Sequence, residues 1–186
     1  MSRGSSRRGP VRAFLIGTLL AASGLAQERP QPAKAPDPLA AAREVMQAAR
    51  YCTLVTFGED VYPQARTMDA FAPEADLRVW MATNPKSRKV AQILKNPRVT
   101  LHYFDAASMG TVTLFGLARL VNDPAEKRKR WKDEWRDFYP DRDAGYLLIA
   151  VTPDRLEILS PAHGIENDPI TWKPLTIQVP IKKREN

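Results

Sequence analysis

The run Thr83-Asn84-Pro85-Lys86-Ser87-Arg88-Lys89 concentrates the groups that hold an anion. It leaves a segment rich in apolar residues (Leu77, Val79, Trp80, Met81) and enters one with Val90, Ile93 and Leu94 at helical spacing, so it reads as a strand-to-helix turn. A hydroxyl and two adjacent cations at a helix start suit a phosphate. Backbone N–H groups and the positive end of the helix dipole face the ligand there, and arginine grips two oxygens at once. A solvated basic helix start has the same composition. Arg66, in Gln64-Ala65-Arg66-Thr67-Met68, tips the balance towards a site. An arginine that points inward from a strand needs an acid or a phosphate. If its strand is the hairpin neighbour of the one feeding the turn, side chains from both converge on one ligand.

Other residues that could do chemistry read more simply as structure. Cys52, the one cysteine, sits in the apolar run 51–57 and reads as a buried small hydrophobe. His102, between Leu101 and Tyr103, reads as a structural strand histidine, with haem ligation as the alternative. His163 lies in a loop without partners for a metal site, and no Ser-His-Asp arrangement is readable. Trp131, Trp135 and Phe138 form a stripe at helical spacing that suits core or dimer packing. Lys127-Arg128-Lys129-Arg130 and Lys132 are offset by Glu126, Asp133 and Glu134, and are expected to form a solvated face.

The elements that must position the site follow from local patterns. Asp37-Pro38 opens a helix, with an acceptor at the cap and proline at the first position, and Leu39, Ala42, Val45, Met46 and Ala49 form its apolar face. Strands are expected near 51–57, 64–71, 77–83, 98–104, 110–121, 145–152 and 155–160. A helix from about Ser87 to Lys95 stops at Asn96-Pro97, because the residue before proline disfavours helix. Another opens at Asn122-Asp123-Pro124 and runs to Phe138, before Pro140. Seven strands with few helices predict a mainly β fold, an antiparallel sheet closed into a barrel. The absence of βαβ alternation argues against a dinucleotide-binding fold.

The chain has 186 residues and a formal net charge of +7, room for one domain of ordinary size. Four of the basic residues (Arg3, Arg7, Arg8, Arg12) lie in residues 1–26, which hold no acid, so the remainder carries only +3. That modest excess does not predict a nucleic-acid partner. Those arginines, the apolar stretch Ala13–Ala22 and Gly24-Leu25-Ala26 have the three parts of a signal peptide over residues 1–26, cleaved near Ala26. The apolar stretch is too short for a stable membrane anchor. Ser6-Arg7-Arg8 hints at the twin-arginine route. Residues 27–37, with Pro30, Pro32 and Pro36, read as a linker, and residues 38–186 as the domain of an exported protein, periplasmic or secreted.

Arg66 seventeen residues ahead of Thr83-Asn84, then Ser87-Arg88-Lys89, then Asn96-Pro97-Arg98-Val99-Thr100-Leu101, resembles the order found in the pyridoxamine 5′-phosphate oxidase superfamily. The likeness spans about residues 40–160 and is closest to the general-stress-protein branch of FMN-binding split barrels. It implies a split β-barrel with flanking helices that forms a homodimer holding FMN at the interface. Arg88 and Lys89, beside Ser87, would hold the FMN phosphate. Arg66, Thr67 and Met68 would follow the ribityl chain and ring edge. Ala82 and Thr83 would add backbone and hydroxyl contacts, Ala82 replacing a tyrosine, and Thr111 stands where the oxidases keep a glutamine. The substrate side departs further: Phe71 replaces a lysine, Leu159-Ser160 replaces Trp-Gln, and residues 163–168 lack the substrate-binding arginine and histidine. The resemblance therefore implies a flavin-dependent oxidoreductase that does not oxidise pyridoxine phosphate. Alternatives are a non-catalytic flavin- or haem-binding stress protein and a deazaflavin F420-dependent reductase.

Overall fold

The structure, a computed structural model, describes residues 37–58 and 62–179. The expected signal peptide, the linker up to residue 36 and the tail 180–186 lie outside the described residues. Helix α1 (Pro38–Ala49) begins as expected, the Asp37 carboxylate accepting the Leu39 N–H at 3.0 Å. Its face of Ala41, Ala42, Val45 and Met46 is buried against the sheet.

The strands are β1 (Tyr51–Phe57), β2 (Pro63–Asp69), β3 (Val79–Thr83), β4 (Arg98–Asp105), β5 (Gly110–Val121), β6 (Leu147–Leu159) and β7 (Leu175–Gln178). All pair antiparallel, in the order β2-β1-β4-β5-β6-β3, with β7 added on β6. Alternation explains this: on β1 the side chains of Cys52, Leu54 and Thr56 point inward and their neighbours outward. Burial pushes the Cys52 thiol up to about 11, so it stays an inert hydrophobe. The sheet closes where a single bridge, Ala70 to Met81, joins the end of β2 to β3, backed by Phe71 N–H donating to the Trp80 carbonyl at 2.8 Å. The result is a mainly β split barrel. β2 and β3 are therefore not hairpin neighbours, as the convergence of Arg66 and Thr83 had suggested; they are the two edges that meet at the seam.

Two expected strands, 145–152 and 155–160, are one. β6 runs through Pro153 because the ladder is already broken there: the register with β5 shifts between Phe115 and Gly116, leaving Asp154 as the extra residue of a bulge. Gly116 faces this bulge, and a Cβ on it would lie 2.3 Å from the Thr152 carbonyl oxygen and 2.9 Å from Pro153 Cα. Both are backbone atoms that cannot swing away. Gly116→Ala is expected to cost about 2 kcal/mol, read as a lower denaturant midpoint at unchanged m-value. A midpoint equal to that of the wild type would show that the bulge yields freely. Strand β7, short and mostly exposed, had no pattern strong enough to be read.

The expected helix to Phe138 is also corrected. Helix α3 (Pro124–Lys129) ends at Arg130, and a one-turn 3-10 helix follows at Asp133–Trp135. The basic run is not the expected solvated face. Arg128 and Lys129 are exposed, but Lys127 and Arg130 are buried. Lys127 Nζ donates to Asn122 and to the Asp143 carbonyl and lies 4.5 Å from the Tyr146 ring centroid. Arg130 stacks 3.6 Å from the Trp80 ring centroid and pairs with Glu74 and Glu126. The helix ends at the second of these inward cations. Their ring partners belong to a second apolar cluster beside the main core, built on Trp80, Val121, Trp135, Tyr146 and Leu148.

Candidate functional site

Strand β3, buried along its whole length, delivers Thr83 to the seam. Asn84 then turns the chain, its side chain accepting the Lys86 N–H at 2.8 Å and its carbonyl the Ser87 N–H at 3.0 Å. Helix α2 (Arg88–Lys95) starts without a side-chain cap. The Ser87 hydroxyl lies instead 2.9 Å from Thr83 Oγ1, which also accepts from Lys89 Nζ at 3.2 Å. The first turn of α2 carries two cations and no acid, opposite to what the helix dipole favours. An anion resolves that conflict.

Arg66, on β2, reaches the same place. Its guanidinium donates to Thr56 Oγ1 at 2.6 Å and to Gln92 Oε1 at 3.1 Å, and the Gln92 amide donates to Gln64 at 2.8 Å. All these partners are neutral. Among the described residues, none of Arg66, Arg88 and Lys89 is paired with a carboxylate. Burial and the charge of Arg88 push the Arg66 guanidinium below its ordinary range. Burial and the charge of Arg66 do the same to the Lys89 ammonium. Three cations thus crowd one another with no counter-charge among the described residues, a donor set that fits a phosphate. Thr56 and Gln92 were missed in the sequence, although each is a polar residue at an apolar-face position, Thr56 inward on β1 and Gln92 between Val90 and Ile93.

A cavity of about 510 Å³ opens at the seam beside this group. Thr67, Met68, Ala82, Thr83 and Lys89 line its inner wall, and Trp135, Phe138 and Tyr139 its outer wall. The structure thus brings together most of the expected flavin residues. Arg88 faces an adjoining hollow with Gln64 and Gln92, and Arg66 lies within electrostatic reach of both cations. Thr111 does not join them within one chain. It pairs with Leu159 of β6 whereas Thr83 pairs with Leu147, roughly 40 Å of strand path away. The aromatic stripe divides: Trp135 is buried, Trp131 is half-buried, and Phe138 is 77% exposed at the cavity.

Lys89 makes the pH dependence of anion binding predictable. A bound phosphate stabilises the ammonium and raises its depressed pKa, so binding takes up protons once pH reaches the value of the free protein. Affinity for a phosphate-bearing ligand should fall as pH rises through that value, which lies below the ordinary lysine range. Kd measured by titration across this range checks it. Lys89→Met should bind weakly but without the fall; an identical fall in the variant would assign the titration elsewhere.

The family model described as pyridoxamine 5′-phosphate oxidase matches residues 39–160. The chain belongs to this family. Its fold is shared by solved structures of low identity. One, a protein related to general stress protein 26 from Clostridium acetobutylicum, is 22% identical with a TM-score of 0.63, covering 76% of this chain and 94% of that one. A pyridoxamine 5′-phosphate oxidase-related, FMN-binding protein from Nostoc punctiforme is 17% identical with a TM-score of 0.55, over 75% and 93%. A heme-binding protein from Mycobacterium smegmatis is 16% identical, also with a TM-score of 0.55, over 67% and 54%. No curated protein sequence matches the chain.

Where the family's oxidases place substrate-binding groups, this member has built packing. Phe71 sits edge-on to Trp135 at 5.3 Å. Ser160 is fully buried and bonded to His163 Nδ1 at 2.7 Å, while His163 Nε2 lies 2.8 Å from Glu44 on α1. His163 thus ties the turn after β6 to the first helix. His102 is exposed on the outside of the barrel, 2.9 Å from Thr113 Oγ1.

Proposed function

We propose that the protein is an exported, homodimeric flavoprotein that binds FMN and serves as an oxidoreductase. The observation that carries this reading is the group of Arg66, Arg88 and Lys89, three cations without a carboxylate partner among the described residues, set around Thr83 and Ser87 at the edge of the seam cavity. The cations and hydroxyls suit the FMN phosphate, and Thr67, Met68 and Ala82 suit its ribityl chain and ring. When bound, the flavin supplies hydride or single-electron chemistry, and the chain supplies orientation, charge and exclusion of water. Dimerisation is supported by the half-open cavity, by Thr111 at the far end of the barrel, and by exposed Phe104 and Leu117 on β4 and β5. A two-fold partner would supply the missing wall.

The protein purified from its native compartment should begin near Gln27, show an oxidised-flavin spectrum with one FMN per chain, and sediment as a dimer. An intact Met1 would count against export. A monomer with a full complement of flavin would remove the dimer, and a colourless protein that takes up no FMN would remove the flavin reading.

A further inference from the structure

We propose that the outer half of the seam cavity binds neutral, planar aromatic compounds with oxygen acceptors at the ring edge, the quinone class. The inference rests on the flavin occupying the inner wall, as proposed above. The outer wall is aromatic: Trp135, Phe138 and Tyr139, and Tyr51 also lines the cavity. Trp135 is fixed edge-on between Phe71 and Tyr139, at centroid distances of 5.3 and 6.2 Å, so this side of the wall is rigid. Phe138 is 77% exposed in the single chain, and no ring among the described residues packs on it, an apolar face open to a ligand.

The charges of this half are matched among themselves. Both carboxylate oxygens of Asp69 are engaged, one by Lys132 Nζ at 2.7 Å and the other by Trp135 Nε1 at 3.1 Å. Arg50 and Glu134 face each other at 3.7 Å. A charged ligand that takes Lys132 from Asp69 leaves a mostly buried carboxylate uncompensated, whereas a neutral ring leaves the pair intact. Donors remain for a ligand's oxygens. Tyr51 and Tyr139 carry phenol O–H groups that no other described residue engages. Burial pushes the Tyr139 phenol upward, so it keeps its proton throughout the physiological range.

Calorimetric titration of the FMN-loaded protein with 2,3-dimethyl-1,4-naphthoquinone tests this, beside the same ring bearing a carboxymethyl group and beside cyclohexane-1,4-dione. The neutral quinone should bind at least about tenfold more tightly than either, each tenfold being 1.4 kcal/mol. Phe138→Ala should weaken it about tenfold and leave FMN affinity and thermal midpoint unchanged, because the side chain is exposed. Tyr139→Phe, which removes one donor to the carbonyl oxygens, should weaken the quinone severalfold. Equal binding of quinone and dione, tighter binding of the carboxymethyl compound, or a Phe138→Ala protein indistinguishable from wild type would each overturn the proposal. Failure of the protein to take up FMN at all would instead strike the flavin reading, so the two fail separately.

Discussion

Lys89→Ala protein should bind FMN ten- to a hundredfold more weakly than wild type, while its affinity for riboflavin stays within about threefold. The Lys89 ammonium sits half-buried beside Thr83 and Arg66, with no carboxylate among the described residues to occupy it. Its bond to a phosphate would be charge-assisted, worth about 1.5–3 kcal/mol, and 1.4 kcal/mol is tenfold in affinity. Riboflavin lacks the phosphate and so is nearly blind to the change. Arg88→Ala should act in the same sense. Arg66→Ala should weaken FMN and also, by a smaller factor, riboflavin, because it releases the Thr56–Gln92 network beside the cavity. A merely solvated helix start would shift either ligand by less than about 0.5 kcal/mol. Small, equal effects on FMN and riboflavin would remove the phosphate site.

Arg130→Ala should lower the stability of the protein by about 3 kcal/mol. Arg130 is 7% exposed, lies on the Trp80 ring and holds Glu74 and Glu126 together. Glu74 also accepts the Trp80 indole N–H at 3.0 Å. Truncation removes the stack and leaves two carboxylates facing each other without their counter-charge, the situation in which breaking a buried pair is most damaging. The glutamates are about one-third exposed, which keeps the loss at the lower end of that range. Arg128→Ala, on the exposed face of the same helix, should change stability by less than about 0.5 kcal/mol. Chemical denaturation of the two variants side by side decides it. Equal midpoints would mean that Arg130 is no more than another surface cation.

What local pattern could establish, the chain's sequence determined by itself. The two-residue alternation of residues 51–57 and 110–121 set β1 and β5 to the residue, and Asp37-Pro38 and Asn96-Pro97 marked a helix start and a helix end. The strand-to-helix turn with Ser87, Arg88 and Lys89 was legible for the same reason: its chemistry lies within seven consecutive residues. Three other features depended on groups far apart in the chain, and only the tertiary structure decided them. Closure of the barrel through one bridge brought Arg66 to Lys89 across an edge that no hairpin joins. Burial turned Lys127 and Arg130 inward, because acceptors at Asp143 and Glu74 and the rings of Tyr146 and Trp80 await them there. Those acceptors lie 16 and 56 residues away, beyond any local window. Strand length separates Thr111 from Thr83 within one chain: β6 is 13 residues long, and the two pair with its opposite ends.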